Sequence, residues 1–407
     1  MERAERDGRF DHLFTDTVRE TLEDDAYGAW RSAAAEDAVP LGLGFPYPES
    51  FPNDELVEAA AAIFETEGDV ALQYGGGEYA DHLEEFVAER ARERGIDCTE
   101  GELLLTNGAT HAIDAICRTF LEPGERVVVE APTFMGALSV FRNYGVEITG
   151  IDVDRDGLDV DALGAELESR RRRNEALPTL VYTIANFQNP TGTTLSGERR
   201  HALLDLASEY DFVILEDDAY GELRFDGEVL PTLSELDDEG RVIHVGTFSK
   251  TIAPGVRTGW VIGHEEIVRE IRGVAAGGAN TFTRGVLGRY CAEGHLDHAV
   301  PELRRAYERR RDHLLRCLEA SMPDEVVWTE PDGGFFVWVE LPSGIDTEEL
   351  LPRAAEEGVV YLPGSMFYPG DRGGNGLRLS FSQAPPEEME RGIEALARTV
   401  RSALPAE

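Results

Sequence analysis

The sequence predicts an α/β fold in which a large, mostly parallel seven-stranded sheet is covered by helices and followed by a smaller α/β unit. Three observations carry that expectation. From about residue 100 to 265, short β-branched runs alternate with helical stretches, the pattern of a sheet with helices on both faces. Several of these runs are apolar throughout, as strands buried on both sides are. Beyond about residue 285, a long arginine- and glutamate-rich stretch gives way to alternating apolar and polar residues, the pattern of a second unit with antiparallel strands.

The strand candidates, in order, are 102–106, 126–129, 147–151, 179–183, 212–215, 242–245 and 259–262. Helical stretches such as 109–121 and 197–210 separate them. Arg170, Arg171, Arg172 and Arg173 close the helical stretch 160–168, where cations complement the negative end of the helix dipole. In the second unit a helix at 303–320 precedes a strand at 335–340. Another helix and strand follow, then a last strand at 377–381 and a C-terminal helix.

The chain has 407 residues, 42% of them hydrophobic, enough for a large core divided among two or three domains. With 79 acidic against 38 basic residues the formal net charge is -41, which repels nucleic-acid backbones. Acid excess with almost no lysine suits molar salt, where the Debye length falls to about 3 Å and self-repulsion is screened. A salt-rich cytosol is therefore expected. The N-terminus is charged and lacks an apolar core, and no apolar run approaches the roughly 18 residues that span a bilayer, so a cytoplasmic, membrane-free protein is expected. Cys98, Cys117, Cys291 and Cys317 show neither CxxC pairing nor zinc spacing, which predicts free thiols. No metal site is expected, and His295 and His298 read as solvated.

In an open parallel sheet, ligands bind beyond the carboxyl ends of the strands. After the first strand, Thr106-Asn107-Gly108-Ala109-Thr110 opens a helix whose backbone N–H groups and dipole favour a phosphate. After the second, Ala131-Pro132-Thr133-Phe134 supplies an aromatic face. After the fourth, Asn186-Phe187-Gln188-Asn189-Pro190-Thr191-Gly192 is a turn that holds an amide at the strand end. After the fifth, Asp217 and Tyr220 stand three residues apart. After the sixth come Thr247-Phe248-Ser249-Lys250 and then Arg257. Each piece alone has an ordinary reading as a helix cap, a turn or solvated acidic surface.

Lys250 is the only lysine, against 37 arginines. Arginine replaces lysine at salt bridges and phosphate clamps but stays protonated and cannot act as an amine nucleophile. A lysine amine condenses with an aldehyde, the link used by pyridoxal phosphate (PLP) enzymes. The compositional bias accounts for the missing lysines without saying why this one stayed.

The pieces LGLGFPYPESFP, LQYGGGEY, LLLTNGATHAID, EAPTF, ANFQNPTG, LEDDAYGELRF, GTFSKTIAPGVRTGW, GGFFVWVELP, LPGSMF and LRLSFS run through nearly the whole chain. In order and spacing they resemble the fold-type I, PLP-dependent aminotransferases of class I/II. The LQYGGGEY and LGLGFP pieces look closest to the 2-aminoadipate, kynurenine-type, aromatic and branched-chain subgroup. The resemblance implies a ping-pong exchange of an amino group between an L-amino acid and a 2-oxo acid. It implies a small domain built from both termini, with 1–48 joining 286–407 and 49–285 binding PLP. By position, Lys250 would hold PLP covalently and then move the substrate proton. Asp217 would face the pyridine nitrogen, Asn189 and Tyr220 the phenolic oxygen, and Phe134 the ring plane. Gly108, Ala109, Thr110, Thr247, Ser249 and Arg257 would hold the phosphate. Tyr74 of the partner subunit would reach it too, which implies a homodimer with shared sites. Arg378 would grip the substrate carboxylate through a bidentate fork, beside Gly44 and Asn189.

The chain departs from the family pattern at Tyr79, where a glycine is usual, at Glu84, where an arginine is common, and at Ala109, where a hydroxyl residue is frequent. A lyase of the same fold would use the same lysine, aspartate and arginines. A regulator built on this fold would carry a DNA-binding module, yet about 40 acidic-rich residues precede LGLGFP. A dinucleotide-binding dehydrogenase would need GxGxxG after a strand, and none is present.

Overall fold

The computed structural model describes residues 9–15 and 38–404; most of the segment 1–48 therefore lies outside the described residues. In chain order the first half comprises β1 (Val39–Pro40), α1 (Asn53–Thr66), α2 (Glu78–Glu93), β2 (Leu103–Thr106), α3 (Ala109–Phe120), β3 (Arg126–Ala131), α4 (Met135–Asn143), β4 (Glu147–Asp154), β5 (Gly157–Leu158), α5 (Val160–Arg173) and β6 (Leu180–Thr183). Then come α6 (Gly197–Tyr210), β7 (Val213–Asp217), α7 (Leu233–Leu236), β8 (Val242–Thr247), β9 (Gly259–Ile262), α8 (Glu265–Val274) and α9 (Thr281–Ala292). The C-terminal part holds α10 (His295–Ser321), β10 (Val327–Trp328), β11 (Phe336–Glu340), α11 (Thr347–Glu357), β12 (Val359–Val360), β13 (Leu362–Pro363), β14 (Gly376–Ser380) and α12 (Pro386–Ala403).

All seven expected strands lie in one sheet, ordered β2-β9-β8-β7-β6-β3-β4-β5. From β8 to β4 every neighbouring pair is parallel, while β9 runs antiparallel to β8 and β2. The eighth strand, β5, is a two-residue return of β4 that no apolar pattern could announce. Alternation along each strand sends side chains to opposite faces. Val127, Val129, Tyr182, Leu215 and Val245 therefore pack with Ile113 and Ile116 of α3, Phe141 of α4 and Ile271 of α8. Val128, Val181, Ile214 and Val242 pack with Leu163 and Leu167 of α5 and Leu203 of α6. Each fully buried Val, Leu or Ile contributes about 1.5–3 kcal/mol, so both faces commit the sheet to this sandwich.

The smaller sheet is antiparallel, ordered β10-β11-β14-β13, and its core is shared with α10, α11 and α12. Strand β1 pairs in parallel with β12, and Leu41 accepts a hydrogen bond from the Ser380 amide at 2.6 Å. Helix α10 starts at His295 rather than at Leu303, with Pro301 inside it at the cost of one backbone hydrogen bond. Among the described residues no helix is long and apolar enough to cross a membrane, and no cluster of His, Cys, Asp and Glu could hold a metal. All four cysteines are free. His295 and His298 engage Glu293 and the Gly294 carbonyl.

Candidate active site

The parallel strands β3, β6, β7 and β8 present their carboxyl ends on one edge, and the polar loops that leave them converge there. Gly108 caps α3 at φ +83°, a conformation open to glycine because it has no Cβ. A Cβ at Gly108 would lie 2.8 Å from the Arg257 guanidinium, and one at Gly259 would lie 2.9 Å from the Ala109 amide nitrogen. Helix start, Arg257 and the β8–β9 loops thus meet with no room for side chains between them. Thr247 Oγ1 pairs with Ser249 Oγ at 2.9 Å and donates to the Thr258 carbonyl at 3.0 Å. Arg257 is exposed, donates to the Asn107 carbonyl at 3.2 Å and sits at φ +46°. Such backbone strain costs of order 1–3 kcal/mol in a residue other than glycine and gathers at functional sites. Hydroxyls, helix N–H groups and one guanidinium make this an anion cradle.

Lys250 leaves β8 toward the same edge. Its Nζ donates to the Gly44 carbonyl at 3.2 Å and lies 5.6 Å from the Tyr220 ring and 5.5 Å from that of Phe335. Loss of solvent, reinforced by the positive charges of Arg378 and Arg257 and opposed by Asp217, pushes the amine down to about 8. A sizeable neutral fraction therefore exists near physiological pH, the state a nucleophilic amine needs.

Asp217 ends β7 and is 4% exposed. Its Oδ2 accepts from the Tyr182 phenol at 2.8 Å, while Oδ1 is buried with no hydrogen-bond partner. Burial raises the carboxyl to about 6, partly offset by the Tyr182 bond. The Tyr220 hydroxyl is hydrogen-bonded to the Asn189 side chain, and burial pushes that phenol above its ordinary range.

Arg378, on β14, is 5% exposed. Its Nη1 donates to Asn189 Oδ1 at 2.8 Å and its Nη2 to the Gly42 carbonyl at 2.6 Å. The guanidinium lies 4.1 Å from the Phe336 ring centroid and 5.0 Å from that of Phe367, so two aromatic faces hold it flat. The small sheet thus delivers a cation to the edge of the large one.

Supporting residues with no role of their own assigned from sequence fix these loops. Glu130, fully buried at the end of β3, accepts from Thr183 Oγ1 at 2.6 Å, the Ile184 amide and Gln188 Nε2 at 3.0 Å, and burial raises it to about 7. Gln188 also donates to the Pro132 carbonyl, tying the Asn189 turn to the Phe134 loop. Asp218 accepts from Asn186 at 2.8 Å and pairs with Arg94. Such clasps are read from space; in sequence they are only an acidic run and an amide-rich turn.

Thr110 is exposed on the first turn of α3, directly after Gly108 and Ala109. One expected residue stands apart from this cluster: Tyr74 is 93% exposed with no site residue of its own chain beside it. Tyr79 and Glu84, the departures from the family pattern, both lie on α2 facing α9, where the Tyr79 hydroxyl accepts from Arg289 and Glu84 pairs with Arg284 at 3.4 Å.

Comparison with known proteins follows the same lines. The family model for aminotransferase class I and II matches residues 37–396. The chain belongs to that family. It is a PLP-dependent aminotransferase of fold type I, acting on small amino and 2-oxo acids. This aminotransferase is 40% identical to aromatic-amino-acid aminotransferase 1 of Thermococcus litoralis, over 90% of this chain and 88% of that protein. It is 37% identical to 2-aminoadipate transaminase of Thermus thermophilus, over 89% of each. It superposes on the crystal structure of Pyrococcus horikoshii kynurenine aminotransferase with a TM-score of 0.93 at 38% identity, covering 98% of this chain and 99% of that one. The residues present fit the cofactor. The orphaned Asp217 Oδ1 is an acceptor for a ring N–H, and the side-chain-free cradle at Gly108 and Gly259 suits a phosphate.

Proposed function

We propose that this aminotransferase takes its amino group from an aromatic or long-chain L-amino acid and passes it to a 2-oxo acid in a ping-pong cycle, with Lys250 as the covalent anchor and proton carrier. One observation carries the assignment of roles. The chain's only lysine stands in a sheltered cluster with Asp217, Tyr220 and Arg378, its amine held near neutrality. The donor class is supported by the aromatic and 2-aminoadipate enzymes to which the chain is similar.

When bound, PLP supplies an electron sink for the negative charge left at the substrate Cα. The protein's own residues do the rest. Asp217 offers its unpaired oxygen to the ring nitrogen and keeps it protonated. Asn189 and Tyr220 donate toward the ring's phenolic oxygen, and Phe134 covers the ring plane. Gly108, Ala109, Thr110, Thr247, Ser249 and Arg257 hold the phosphate by backbone N–H groups, hydroxyls and charge. Arg378 binds the α-carboxylate, with its plane set by Phe336 and Phe367 and with Gly44 alongside. Lys250, once displaced, is a base of near-neutral proton affinity beside Cα, suited to carry the proton.

Val57, Phe64, Val70, Leu72 and Tyr74 are exposed along the stretch from α1 to the turn before α2, apolar surface that a second copy of the chain could cover. That patch supports a homodimer in which Tyr74 of the partner subunit completes the phosphate site. Residues 286–407 with the stretch up to 48 as one domain, residues 49–285 as the other, and a salt-rich cytoplasmic setting complete the proposal. Rapid mixing of the PLP-loaded protein with single amino acids tests it: aromatic donors and 2-aminoadipate should bleach the cofactor absorbance fastest. Equal inertness of all L-amino acids would sink it.

A further inference from the structure

The Asp217 carboxylate is held asymmetrically. Its Oδ2 accepts the Tyr182 phenol at 2.8 Å, and its Oδ1 is buried without a partner. Tyr182 stands in the apolar run of β6, is fully buried, and has its ring fixed by an edge contact with Phe141 at 5.6 Å and 73°. A phenol in such a strand loses its water and is tolerated because its O–H finds an acceptor. The acceptor here is Asp217, the carboxylate assigned to the ring nitrogen.

We propose that Tyr182 is a positioning residue for the cofactor ring, clamping one Asp217 oxygen so that the other stays anionic and free to receive the ring N–H. This rests on the assignment of Asp217 to the ring nitrogen. Burial and the Asp218 charge both favour a protonated Asp217, while the Tyr182 bond, the largest opposing influence, the Ala219 backbone N–H and His244 oppose them. The phenol's own proton affinity lies well above the ordinary range, through burial and the charge of Asp217, so it remains a donor throughout the working pH range. Without that donor Asp217 takes up a proton at higher pH and can turn about χ2. Its contact with the ring then weakens from a charge-assisted bond to an ordinary one. The other groups facing Asp217, namely Asp218, His244, Glu130, Tyr220 and Lys250, are left in place by the substitution that tests this.

Tyr182→Phe keeps the ring and its packing and removes the hydroxyl alone. The experiment compares the PLP dissociation constant of wild type and Tyr182→Phe from about pH 5.5 to 8.5, with kcat and KM at neutral pH. The phosphate of PLP titrates identically in both, so it cancels in the comparison. The midpoint at which acid weakens binding should rise by about one pH unit, and kcat should fall about tenfold with KM within about threefold, the effect of losing a hydrogen bond to a charged group. Midpoints agreeing within about 0.2 units, or a loss confined to thermal stability, would show that Tyr182 is packing alone. Asp217→Asn separates the two levels. If it binds PLP and turns over like wild type, the ring-nitrogen assignment itself is wrong; if it fails while Tyr182→Phe is unaffected, only the role of Tyr182 is.

Discussion

Replacing Arg378 by lysine keeps the positive charge and removes the fork. In the native chain two guanidinium nitrogens are already committed, at 2.8 Å to Asn189 and 2.6 Å to the Gly42 carbonyl, and the plane is held between Phe336 and Phe367. This framing fixes the plane in which the guanidinium is presented. A lysine ammonium is a single point donor that cannot serve Asn189, Gly42 and a substrate carboxylate in one plane. Losing one charge-assisted bond costs about 1.5–3 kcal/mol, which is about 10- to 150-fold in kcat/KM. The carboxylate is held alike in ground and transition states, so the loss should fall mainly on KM. The assay is the half-reaction of PLP-loaded Arg378→Lys with L-phenylalanine and with 2-phenylethylamine, which has the same side chain and no carboxylate. Phenylalanine should lose its advantage over the amine. An unchanged ratio of the two kcat/KM values would refute the role of Arg378, whatever the absolute rates.

Other perturbations have defined outcomes. Lys250→Met should flatten the stability of the PLP-free protein above pH 8. The folded amine, lowered to about 8 from 10.5, binds fewer protons than the unfolded one in that window, so wild-type stability rises with pH there. Urea titrations of both proteins at several pH values measure the difference. Glu130→Leu strands the Thr183 hydroxyl, the Ile184 amide and one Gln188 N–H, and should cost about 3 kcal/mol by thermal unfolding and loosen PLP, since buried unpaired donors are costly. At limiting PLP, a mixed dimer of Tyr74→Phe and Lys250→Ala chains should turn over faster per intact Lys250 than the Tyr74→Phe homodimer, through the site that combines intact Tyr74 and Lys250; no gain would remove the shared-site proposal. With a net charge of -41, the melting temperature should climb with KCl into the molar range, while a flat profile would remove the salt-rich setting.

Much of the molecule is legible in its sequence because its functional residues interrupt patterns. The apolar runs announce the buried strands, and their polar ends, at Asn107, Asn189, Asp217 and Lys250, fall where a parallel sheet gathers ligands. Lys250 is legible for a chemical reason, since it is the one lysine side chain in the sequence. Tyr182 is not, because a phenol in the run Leu180–Thr183 reads as core until its hydroxyl is seen on Asp217. Nor can sequence tell that Phe336 and Phe367, on different elements, enclose Arg378. Tyr79 and Glu84 fail differently. They depart from a family pattern, and local sequence does not say that their helix face meets α9, where a Cβ on Gly288 would lie 1.8 Å from the Tyr79 carbonyl. The strand β5 is too short to carry any periodicity.

The central claim is that the chain's only lysine is the covalent anchor of PLP. Borohydride reduction of PLP-loaded, folded protein, followed by peptide mass mapping, tests it directly. A pyridoxyl adduct is expected on the peptide carrying Lys250 and none elsewhere. Folded, PLP-saturated protein that yields no adduct would contradict it.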